Sequence, residues 1–279
     1  MKIINGYQIA QKLELKIKKE LKAIKEKPSL AIILVGENPA SKIYIQKKKE
    51  ACQRLGIQCR IYNLSSKVSL NKIIELIQKI NRSSKIHGLI IQLPLPPQFN
   101  SELIFNYLDP LKDVDGLSPL NLGFLVSGQG FIIPPTVQAI LEIIDYYKIN
   151  LKHKKVVLIG YSNLIGKPLS FLLIKRGATI TICHKETKNL GDYTRRADIL
   201  IVAAGRPKLI TKNMIKKGVI VIDVGINKIG KEIVGDVDFN KVKDKASLIT
   251  PVPGGVGPIT IMKLLQNLLQ CVKIKKIKK

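Results

Sequence analysis

The stretch Val157-Leu-Ile-Gly160-Tyr-Ser162-Asn-Leu-Ile-Gly166-Lys-Pro168 decides the fold. An apolar run ends in a turn rich in glycine and serine, and a helix-forming run follows. The pattern therefore predicts a strand, a tight turn and a helix. Backbone N–H groups at the start of such a helix bind a pyrophosphate, helped by the helix dipole. Ser162 stands where the strict GxGxxG pattern has its second glycine, so the match to a dinucleotide-binding motif is incomplete.

Apolar runs on both sides of this segment predict further strands. Their apolar stretches are continuous rather than alternating, which is typical of parallel strands buried on both faces. Helical patterns separate them, including one from Ile9 to Ile24, one over Thr136–Tyr147 and a last one from about Pro258. This order of elements predicts an α/β fold made of βαβ units. The predicted strands are Leu30–Val35, Ile57–Asn63, Gly88–Leu93, Val156–Ile159, Ala178–Cys183, Ile199–Ala203, Val219–Val224 and Ser247–Thr250.

The loop-rich segment Pro94–Pro135 separates two series of strands and helices. The chain has 279 residues, 46% of them hydrophobic, which is enough for two cores. We therefore predict an N-terminal α/β lobe over residues 1–135 and a Rossmann-type NAD(P)-binding lobe over residues 136–257.

The net charge of +27 suggests, as one alternative, a nucleic-acid-binding protein. Most of the positive charge comes from lysines spread along predicted exposed helix faces, without the interleaved aromatic residues of single-strand binders. The composition therefore favours a basic surface without that function. The lysine-rich end, Lys273–Lys279, is expected to be a solvated tail.

The four cysteines, Cys52, Cys59, Cys183 and Cys271, form no CxxC pair and have no histidine at ligand spacing. They predict reduced thiols in a cytoplasmic protein rather than a disulfide framework or a metal site. The N-terminal segment lacks the apolar core of a signal peptide. No apolar run is long enough to span a bilayer, so a soluble protein without membrane partners is expected.

The helix predicted after the first of these strands carries three polar side chains on one face. In Gly36-Glu-Asn-Pro-Ala-Ser41-Lys-Ile-Tyr44-Ile-Gln-Lys-Lys48, positions 41, 44 and 48 are spaced i, i+3 and i+7, and Asn38 can cap the helix. A lysine beside an aromatic ring is a candidate acid/base group, because partial desolvation lowers its pKa. The alternative is a solvated helix face, because Lys47 and Lys49 flank Lys48.

Two further polar stretches are candidates, one at the end of a predicted buried strand and one in a turn. Gln92, in Ile91-Gln92-Leu93-Pro94-Leu95-Pro96, has an amide that must find partners and could orient a lysine amine or a ligand ring. In Lys112-Asp113-Val114-Asp115-Gly116, two carboxylates point to the same side if the segment is extended. They could bind a cation, but no further acidic ligands follow, so a carboxylate that accepts paired N–H donors from a heterocycle is the better functional interpretation. The alternatives are a proline turn and an ordinary Asp-Gly turn.

The strand after the glycine-rich turn ends in His184 and Lys185, where NAD-binding proteins carry an acidic residue for the ribose. Two basic residues suit a 2′-phosphate and favour NADP; the alternative is a plain lysine-rich surface. Two flexible segments after later strands are placed to line a cofactor site. They are Asp223-Val-Gly225-Ile226-Asn227 and Thr250-Pro-Val-Pro-Gly254-Gly255-Val-Gly257-Pro258.

Taken together in chain order, these segments resemble the methylenetetrahydrofolate dehydrogenase/cyclohydrolase family, often called FolD. The most specific stretches are Gln92–Pro96 with Lys112–Gly116, and Thr250–Pro258, and the resemblance covers the chain except for the lysine-rich tail. It implies two lobes with a cleft between them, a C-terminal helix of about residues 258–279 that returns to the N-terminal lobe, and a homodimer.

The resemblance also implies residue roles. Lys48 is the catalytic amine, Gln92 orients it, Asp115 binds the pterin and Tyr44 packs on the folate rings. The implied substrate-binding positions are Tyr44, Lys48, Ile91, Gln92, Leu93, Asp115, Pro253, Gly254 and Gly255. The implied cofactor-binding positions are Gly160, Tyr161, Ser162, Lys185 and Ile226.

The implied activity has two steps in one-carbon metabolism, which serves purine biosynthesis. 5,10-Methylenetetrahydrofolate is oxidised to 5,10-methenyltetrahydrofolate with NADP⁺, with NAD⁺ as the alternative, and the product is hydrolysed to 10-formyltetrahydrofolate. The rival hypotheses are a relative with only one of the two activities, a different Rossmann enzyme, and a nucleic-acid-binding protein on a Rossmann scaffold.

Two places depart from the family pattern. Pro134-Pro135-Thr136-Val137-Gln138-Ala139 stands where the family usually reads Pro-Cys-Thr-Pro-x-Gly, and we expect Thr136 to cap the linking helix and the cleft to differ locally. Tyr161 stands where many relatives carry arginine, which argues against NADP if that arginine holds the 2′-phosphate.

Overall fold

The computed structural model describes residues 2–230 and 232–277, which form two compact units. One unit contains Thr136–Thr260 together with the N-terminal residues up to Lys12. The other contains Leu13–Pro135 together with the chain from Ile261 onward. We call them the six-stranded unit and the three-stranded unit after their main sheets.

The described elements alternate between strands and helices along most of the chain. The strands are β1 (Lys2–Ile3), β2 (Ser29–Val35), β3 (Gln58–Leu64), β4 (Gly88–Ile91), β5 (Lys155–Ile159), β6 (Thr179–Cys183), β7 (Ile199–Val202), β8 (Ile220–Asp223), β9 (Asn227–Ile229), β10 (Glu232–Val234) and β11 (Leu248–Ile249). The helices are α1 (Gly6–Lys22), α2 (Pro39–Arg54), α3 (Leu70–Arg82), α4 (Ser101–Phe105), α5 (Pro119–Val126), α6 (Pro135–Tyr146), α7 (Gly166–Lys175), α8 (Leu190–Thr194), α9 (Phe239–Val242) and α10 (Val256–Ile277). Within the described ranges, no helix is both long and apolar enough to cross a membrane.

The three-stranded unit is built on a parallel sheet in the order β3-β2-β4. β2 lies in the middle and is buried along its whole length, which agrees with its continuous apolar sequence. The later part of α10 packs on this unit, where Asn267 Nδ2 donates to the carbonyl oxygens of Val114 and Ile133, both at 2.8 Å. Because the strands are parallel, the segments after β2, β3 and β4 all leave the sheet at the same edge.

The six-stranded unit has a parallel sheet in the order β1-β11-β8-β7-β5-β6. β6 lies on one side of β5 and β7 on the other, so the direction in which strands are added reverses at β5. In open α/β sheets, ligands bind at such a switch point, beyond the carboxyl ends of the strands. β9 and β10 form a separate antiparallel hairpin.

The first residues of the chain form an edge strand of the six-stranded sheet. Lys2 N donates to Ser247 O at 2.9 Å, and Ile4 N donates to Ile249 O at 2.8 Å. The N-terminal lobe was predicted to begin at residue 1. In the structure the three-stranded unit begins at Leu13, because the residues before it belong to the six-stranded unit. A strand of two residues is too short to show a hydrophobic period in the sequence.

All eight strands predicted from apolar runs are present, with ends that differ by at most two residues. The segment predicted to be rich in loops, Pro94–Pro135, also contains the short helices α4 and α5. The predicted tail continues α10 as far as Ile277, while Lys278 and Lys279 lie outside the described residues.

The linking helix α6 begins one residue earlier than predicted. Thr136 is therefore its second residue, and the expectation that Thr136 caps the helix is wrong. Val137 and Ala139, which depart from the family pattern, are both fully buried. The departures thus change core packing within α6 rather than an exposed surface.

Candidate functional site

A hydrogen-bonded cap fixes the start of α2, directly after β2. The Asn38 side-chain oxygen accepts from the Ser41 N–H at 3.0 Å, and Pro39 occupies the first helical position. This confirms the cap predicted from the sequence. Ser41 is buried, and its hydroxyl donates to the carbonyl oxygen of Leu93 at 3.2 Å. The start of α2 is thereby tied to the segment that follows β4.

Two turns further along α2, the Lys48 amine meets the Gln92 amide. Lys48 Nζ donates to Gln92 Oε1 at 3.0 Å. The other end of the amide is fixed as well, since Gln92 Nε2 donates to the Leu93 carbonyl oxygen at 2.7 Å. Ser41 and Gln92 therefore share one backbone acceptor. The alternative of a solvated helix face is wrong for Lys48, because its side chain is half-buried and hydrogen-bonded.

The charged residues of segment 112–116 have three different surroundings. Lys112 is buried and its Nζ donates to two carbonyl oxygens at the C-terminal end of α3, both at 2.7 Å. Asp113 is buried, and its carboxylate accepts from the Ser118 N–H at 2.7 Å and from the Asn121 side chain at 3.0 Å. Asp115 is only half-buried and interacts electrostatically with the Lys48 amine.

This separation removes the cation-binding interpretation of the two carboxylates. The Asp113 carboxylate holds the local fold through its hydrogen bonds to Ser118 and Asn121. The Asp115 carboxylate instead interacts with the Lys48 amine. In the part of the chain that the structure describes, no group of three or more His, Cys, Asp or Glu side chains could hold a metal ion. The half-buried Asp115 carboxylate can accept hydrogen bonds from a ligand.

Burial governs the ionisation of the amine and the carboxylate. Burial lowers the pKa of Lys48, and the Asp115 carboxylate opposes this shift. Burial raises the pKa of Asp115 to about 6, and the Lys48 cation opposes that shift. Tyr44, one turn before Lys48, is half-buried, and burial raises the pKa of its phenol. The site thus has a neutral ring beside an amine whose pKa is moved toward the range of proton transfer.

Two thiols next to Lys48 were missed as neighbours of the site. Cys52 follows Lys48 by one turn of α2, and its thiol neighbours that of Cys59 on β3. The Cys52 thiol lowers the pKa of Cys59, while burial opposes the shift. Both are free thiols, as the cysteine spacing predicted. The i, i+4 spacing of Lys48 and Cys52 was the available signal.

The two apolar positions predicted to bind substrate differ in exposure. Ile91 is only 2% exposed, so its side chain belongs to the core of the three-stranded unit. Leu93 lines a pocket of about 480 Å³, whose other walls are Pro94–Pro97, Phe99 and Ser101. A largely apolar surface therefore begins directly after Gln92.

In the six-stranded unit, the turn between β5 and α7 has close backbone packing. Gly160 has a φ of 112°, and a Cβ there would lie 2.2 Å from the Ala203 carbonyl oxygen. A Cβ at Gly166 would lie 2.2 Å from the Gly160 carbonyl oxygen. Ser162 replaces a glycine without loss of the turn, because its hydroxyl accepts from the Ile165 N–H at 3.2 Å. No side chain caps α7. The Lys167 N–H donates to the Ser162 carbonyl oxygen at 3.0 Å and Pro168 has no N–H, so a phosphate here would accept from other N–H groups of the Gly160–Gly166 turn.

The end of β6 lies beside this turn. Gly160 N donates to the Cys183 carbonyl oxygen at 2.9 Å, which brings His184 and Lys185 next to the glycine-rich segment. The Lys185 side chain is 88% exposed, and its amine lies 3.7 Å from the Glu186 carboxylate. The exposed Lys185 amine can therefore reach an anion that binds at the carboxyl edge of the sheet.

Tyr161 and Ile226 expose large apolar side chains in the six-stranded unit, at 54% and 45%. The Lys167 amine lies 5.0 Å from the centroid of the Tyr161 ring, within cation–π distance. A cation is thus present beside position 161 although the residue there is not arginine. This weakens the sequence-based argument from Tyr161 against NADP.

The loop that contains Pro253, Gly254 and Gly255 follows β11 and belongs to the six-stranded unit. The start of α1 holds it, since Gly6 N donates to the Gly254 carbonyl oxygen at 2.9 Å. Gly254 has a φ of 103°, which favours glycine. The structure therefore places these three predicted substrate contacts in a different unit from Lys48.

Two buried aspartates of the six-stranded unit were missed. Asp223 ends β8, and its carboxylate accepts from the N–H groups of Gly225, Asp236 and Val237 at 3.0, 3.1 and 2.9 Å. Burial raises the pKa of Asp223 to about 7, and these hydrogen bonds oppose the shift. A Cβ at Gly235 would lie 1.8 Å from the Asp223 carboxylate, so the glycine permits this approach. The signal was an aspartate near a glycine, Asp223 before Gly225 and Asp236 after Gly235. The first was interpreted only as part of a flexible segment, and the second was not singled out.

Comparisons with known proteins cover nearly the whole chain. The family models described as tetrahydrofolate dehydrogenase/cyclohydrolase, catalytic domain and NAD(P)-binding domain, match residues 4–115 and 134–276. The bifunctional protein FolD of Thermodesulfovibrio yellowstonii is 47% identical over 278 residues, which is 98% of this chain and 97% of that protein. The crystal structure of the bifunctional enzyme FolD from Campylobacter jejuni has a TM-score of 0.94 at 42% identity and 99% coverage of both chains. The Trypanosoma brucei FolD, crystallised with NADP cofactor and inhibitor, has a TM-score of 0.94 at 31% identity, with 99% of this chain and 98% of that chain covered.

Proposed function

Because the chain belongs to the tetrahydrofolate dehydrogenase/cyclohydrolase family, we propose that the Lys48 amine, held by Gln92 and influenced by Asp115, is its catalytic centre. The enzyme is bifunctional. It oxidises 5,10-methylenetetrahydrofolate to 5,10-methenyltetrahydrofolate with NADP⁺ and hydrolyses the product to 10-formyltetrahydrofolate. The observation that carries the residue assignment is the 3.0 Å hydrogen bond from Lys48 Nζ to Gln92 Oε1 in a half-buried site.

Lys48 handles the protons of the hydrolytic step. Water adds to the methenyl carbon, and the neutral Lys48 amine accepts one of its protons. The ammonium returns this proton to N5 as the carbon–N5 bond breaks, and the second proton of the water leaves as the formyl C=O forms. Gln92 keeps the amine in place through both transfers, because its own amide is fixed on Leu93. The cationic substrate lowers the pKa of the amine further.

Asp115 and Tyr44 bind the folate in this proposal. The Asp115 carboxylate accepts N–H donors of the pterin, and the Tyr44 ring packs on the folate rings one turn of α2 from Lys48. All the polar residues that both steps need are present, which argues against a relative with only one activity. Separate assays of the two half-reactions test this, with NADPH absorbance for the oxidation and methenyltetrahydrofolate absorbance for the hydrolysis.

The Gly160–Gly166 turn, Ser162 and the exposed side chains Tyr161, Lys185 and Ile226 would hold the cofactor. When bound, NADP⁺ supplies the acceptor for the substrate hydride. The chain would position the cofactor: N–H groups of the Gly160–Gly166 turn would bind the pyrophosphate, and the exposed Lys185 amine would hold the 2′-phosphate.

The cyclohydrolase is expected to lose activity as the pH falls through about 6. Asp115 has a raised pKa of about 6, so acid converts it from the carboxylate that accepts the pterin N–H groups to the neutral acid. The measurement is kcat/KM for methenyltetrahydrofolate from about pH 5 to 8, after subtraction of the uncatalysed rate. In Asp115→Asn, kcat/KM should no longer fall near pH 6. In the control Asp192→Asn, an exposed aspartate, the fall should remain. A wild-type kcat/KM that does not change with pH would contradict the assignment.

The cofactor preference is tested by parallel dehydrogenase assays with NADP⁺ and NAD⁺. We expect wild type to prefer NADP⁺, and Lys185→Ala to raise the KM for NADP⁺ about 3–5-fold, the effect of one exposed ion pair. The KM for NAD⁺ should not change, because NAD⁺ has no 2′-phosphate. Lys188→Ala is the matched control, since Lys188 is an exposed lysine three residues further on. Equal effects of Lys185→Ala on both cofactors would remove Lys185 from the 2′-phosphate site.

We infer, in addition, a cytoplasmic homodimer whose product serves purine biosynthesis. The four free thiols fit a reducing compartment. The homodimer and the metabolic role are supported by the family resemblance. This family assignment also takes the place of the two alternatives drawn from the sequence, a different Rossmann enzyme and a nucleic-acid-binding protein.

A further inference from the structure

The Asp236 carboxylate is fully buried and bridges the loops that follow two neighbouring strands. Its Oδ2 accepts from the N–H groups of Ala204 and Gly205, at 2.7 and 2.9 Å, shortly after β7. Its Oδ1 accepts from Asn227 Nδ2 at 2.8 Å, after β8. One carboxylate therefore links segments that are far apart in the sequence.

The position of this carboxylate is fixed from both sides. The Asp236 N–H donates to Asp223 Oδ1 at 3.1 Å, and the Ile210 N–H donates to the Asp236 carbonyl oxygen at 3.0 Å. Gly225 lies directly against the side chain, since a Cβ there would lie 2.2 Å from the Asp236 carboxyl carbon. Asp236 is thus a rigid point of attachment for the two loops.

Both loops belong to the part of the sheet where the cofactor would bind. The Ala203 carbonyl oxygen lies against Gly160 of the glycine-rich turn. Ala203 directly precedes Ala204 and Gly205, whose N–H groups donate to Asp236. The loop after β7 therefore forms one side of the switch point between β5 and β7, and the turn forms the other. Asn227 directly follows Ile226, the exposed side chain assigned to the cofactor.

We propose that Asp236 is a positioning residue for the dinucleotide, which holds the loops after β7 and β8 at the spacing that the bound cofactor requires. This inference rests on the proposed cofactor site. A carboxylate is needed, because all three groups that face it are donors. An amide at this position would turn its own NH₂ toward one of these donors.

The test is the dissociation constant for NADP⁺, measured by calorimetry on the full chain. Asp236→Asn is expected to raise it about tenfold, the order expected from the loss of a charge-assisted hydrogen bond. The cyclohydrolase rate, measured from methenyltetrahydrofolate without cofactor, should stay within about twofold of wild type. Asp244→Asn, at an exposed position of the same unit, is the matched control and should change neither quantity.

A compensating variant separates this role from a general loss of stability. Asp236→Asn combined with Asn227→Asp gives the new amide an acceptor at position 227, while its oxygen still faces the Ala204 and Gly205 N–H groups. The double variant should bind NADP⁺ several-fold more tightly than Asp236→Asn alone. If Asp236→Asn does not fold, Asn227→Ala removes one of the three donors and should still raise the dissociation constant about threefold.

Three results would overturn the proposal. They are NADP⁺ binding by Asp236→Asn that equals wild type, no recovery in the double variant, or unchanged binding by Asn227→Ala. A wild type that binds neither NADP⁺ nor NAD⁺ would instead overturn the cofactor site itself, and Asp236 with it. The two failures are therefore distinguishable.

Discussion

Replacing Lys48 by glutamine is expected to lower the cyclohydrolase kcat by about 10²–10⁴-fold, the usual contribution of general acid–base catalysis. A glutamine side chain can neither take a proton from water nor return one to N5. Because Gln92 is anchored on the Leu93 carbonyl oxygen at 2.7 Å, the rest of the site should keep its geometry. The measurement is the decay of methenyltetrahydrofolate absorbance at a pH where uncatalysed hydrolysis is slow.

Lys47→Gln is the matched control for this variant. Lys47 is exposed on the same helix and differs from Lys48 only in the face that it occupies. It should hydrolyse methenyltetrahydrofolate at the wild-type rate, and both variants should bind NADP⁺ as wild type does. Full cyclohydrolase activity of Lys48→Gln would remove Lys48 from the mechanism.

Gly166→Ala is expected to weaken NADP⁺ binding by about 10–100-fold, which corresponds to roughly 1–3 kcal/mol of overpacking. The added Cβ would lie 2.2 Å from the carbonyl oxygen of Gly160, so backbone rather than a flexible side chain has to move. That movement displaces the backbone of the Gly160–Gly166 turn, where the pyrophosphate would bind. The measurement is the dissociation constant for NADP⁺, together with the dehydrogenase rate at subsaturating NADP⁺. The cyclohydrolase rate should be retained, because Lys48 lies in the other unit.

Gly123→Ala is the matched control for the added methyl group. Gly123 lies within α5, and a Cβ there meets no atom within 4 Å. This variant should bind NADP⁺ and catalyse both reactions as wild type does. Wild-type affinity in Gly166→Ala would mean that the glycine-rich turn does not seat the cofactor.

Most strands could be predicted from the sequence, including the two-residue β11, but β1, β9 and β10 could not. The run Leu30–Val35 within β2 is apolar throughout because both faces of a central parallel strand are covered. β1, β9 and β10 have only two or three residues, so no period or composition distinguishes them. Their formation depends on neighbours elsewhere in the chain, as β1 depends on β11.

The polar site could be predicted only in part, for a related reason. Asp113 and Asp115 have the same residue type and the same glycine-turn context, and their difference arises from Ser118 and Asn121, which meet Asp113 after the chain has turned. The choice of Lys48 over its neighbours rested on the family resemblance. The structure distinguishes Lys48 by the hydrogen bond of its amine to the Gln92 amide, directly after β4.

The pairing of β1 with β11 also determines how this protein can be dissected. A fragment cut at the predicted lobe boundaries, residues 136–257, would lack the N-terminal strand that covers one margin of the six-stranded sheet. The backbone groups of Ser247 and Ile249 that now accept from Lys2 and Ile4 would face solvent or a second fragment. Uncovered strands of this kind promote self-association. A recombinant cofactor-binding fragment therefore has to carry the first residues of the chain, fused in front of Thr136, so that it does not self-associate through the β11 edge.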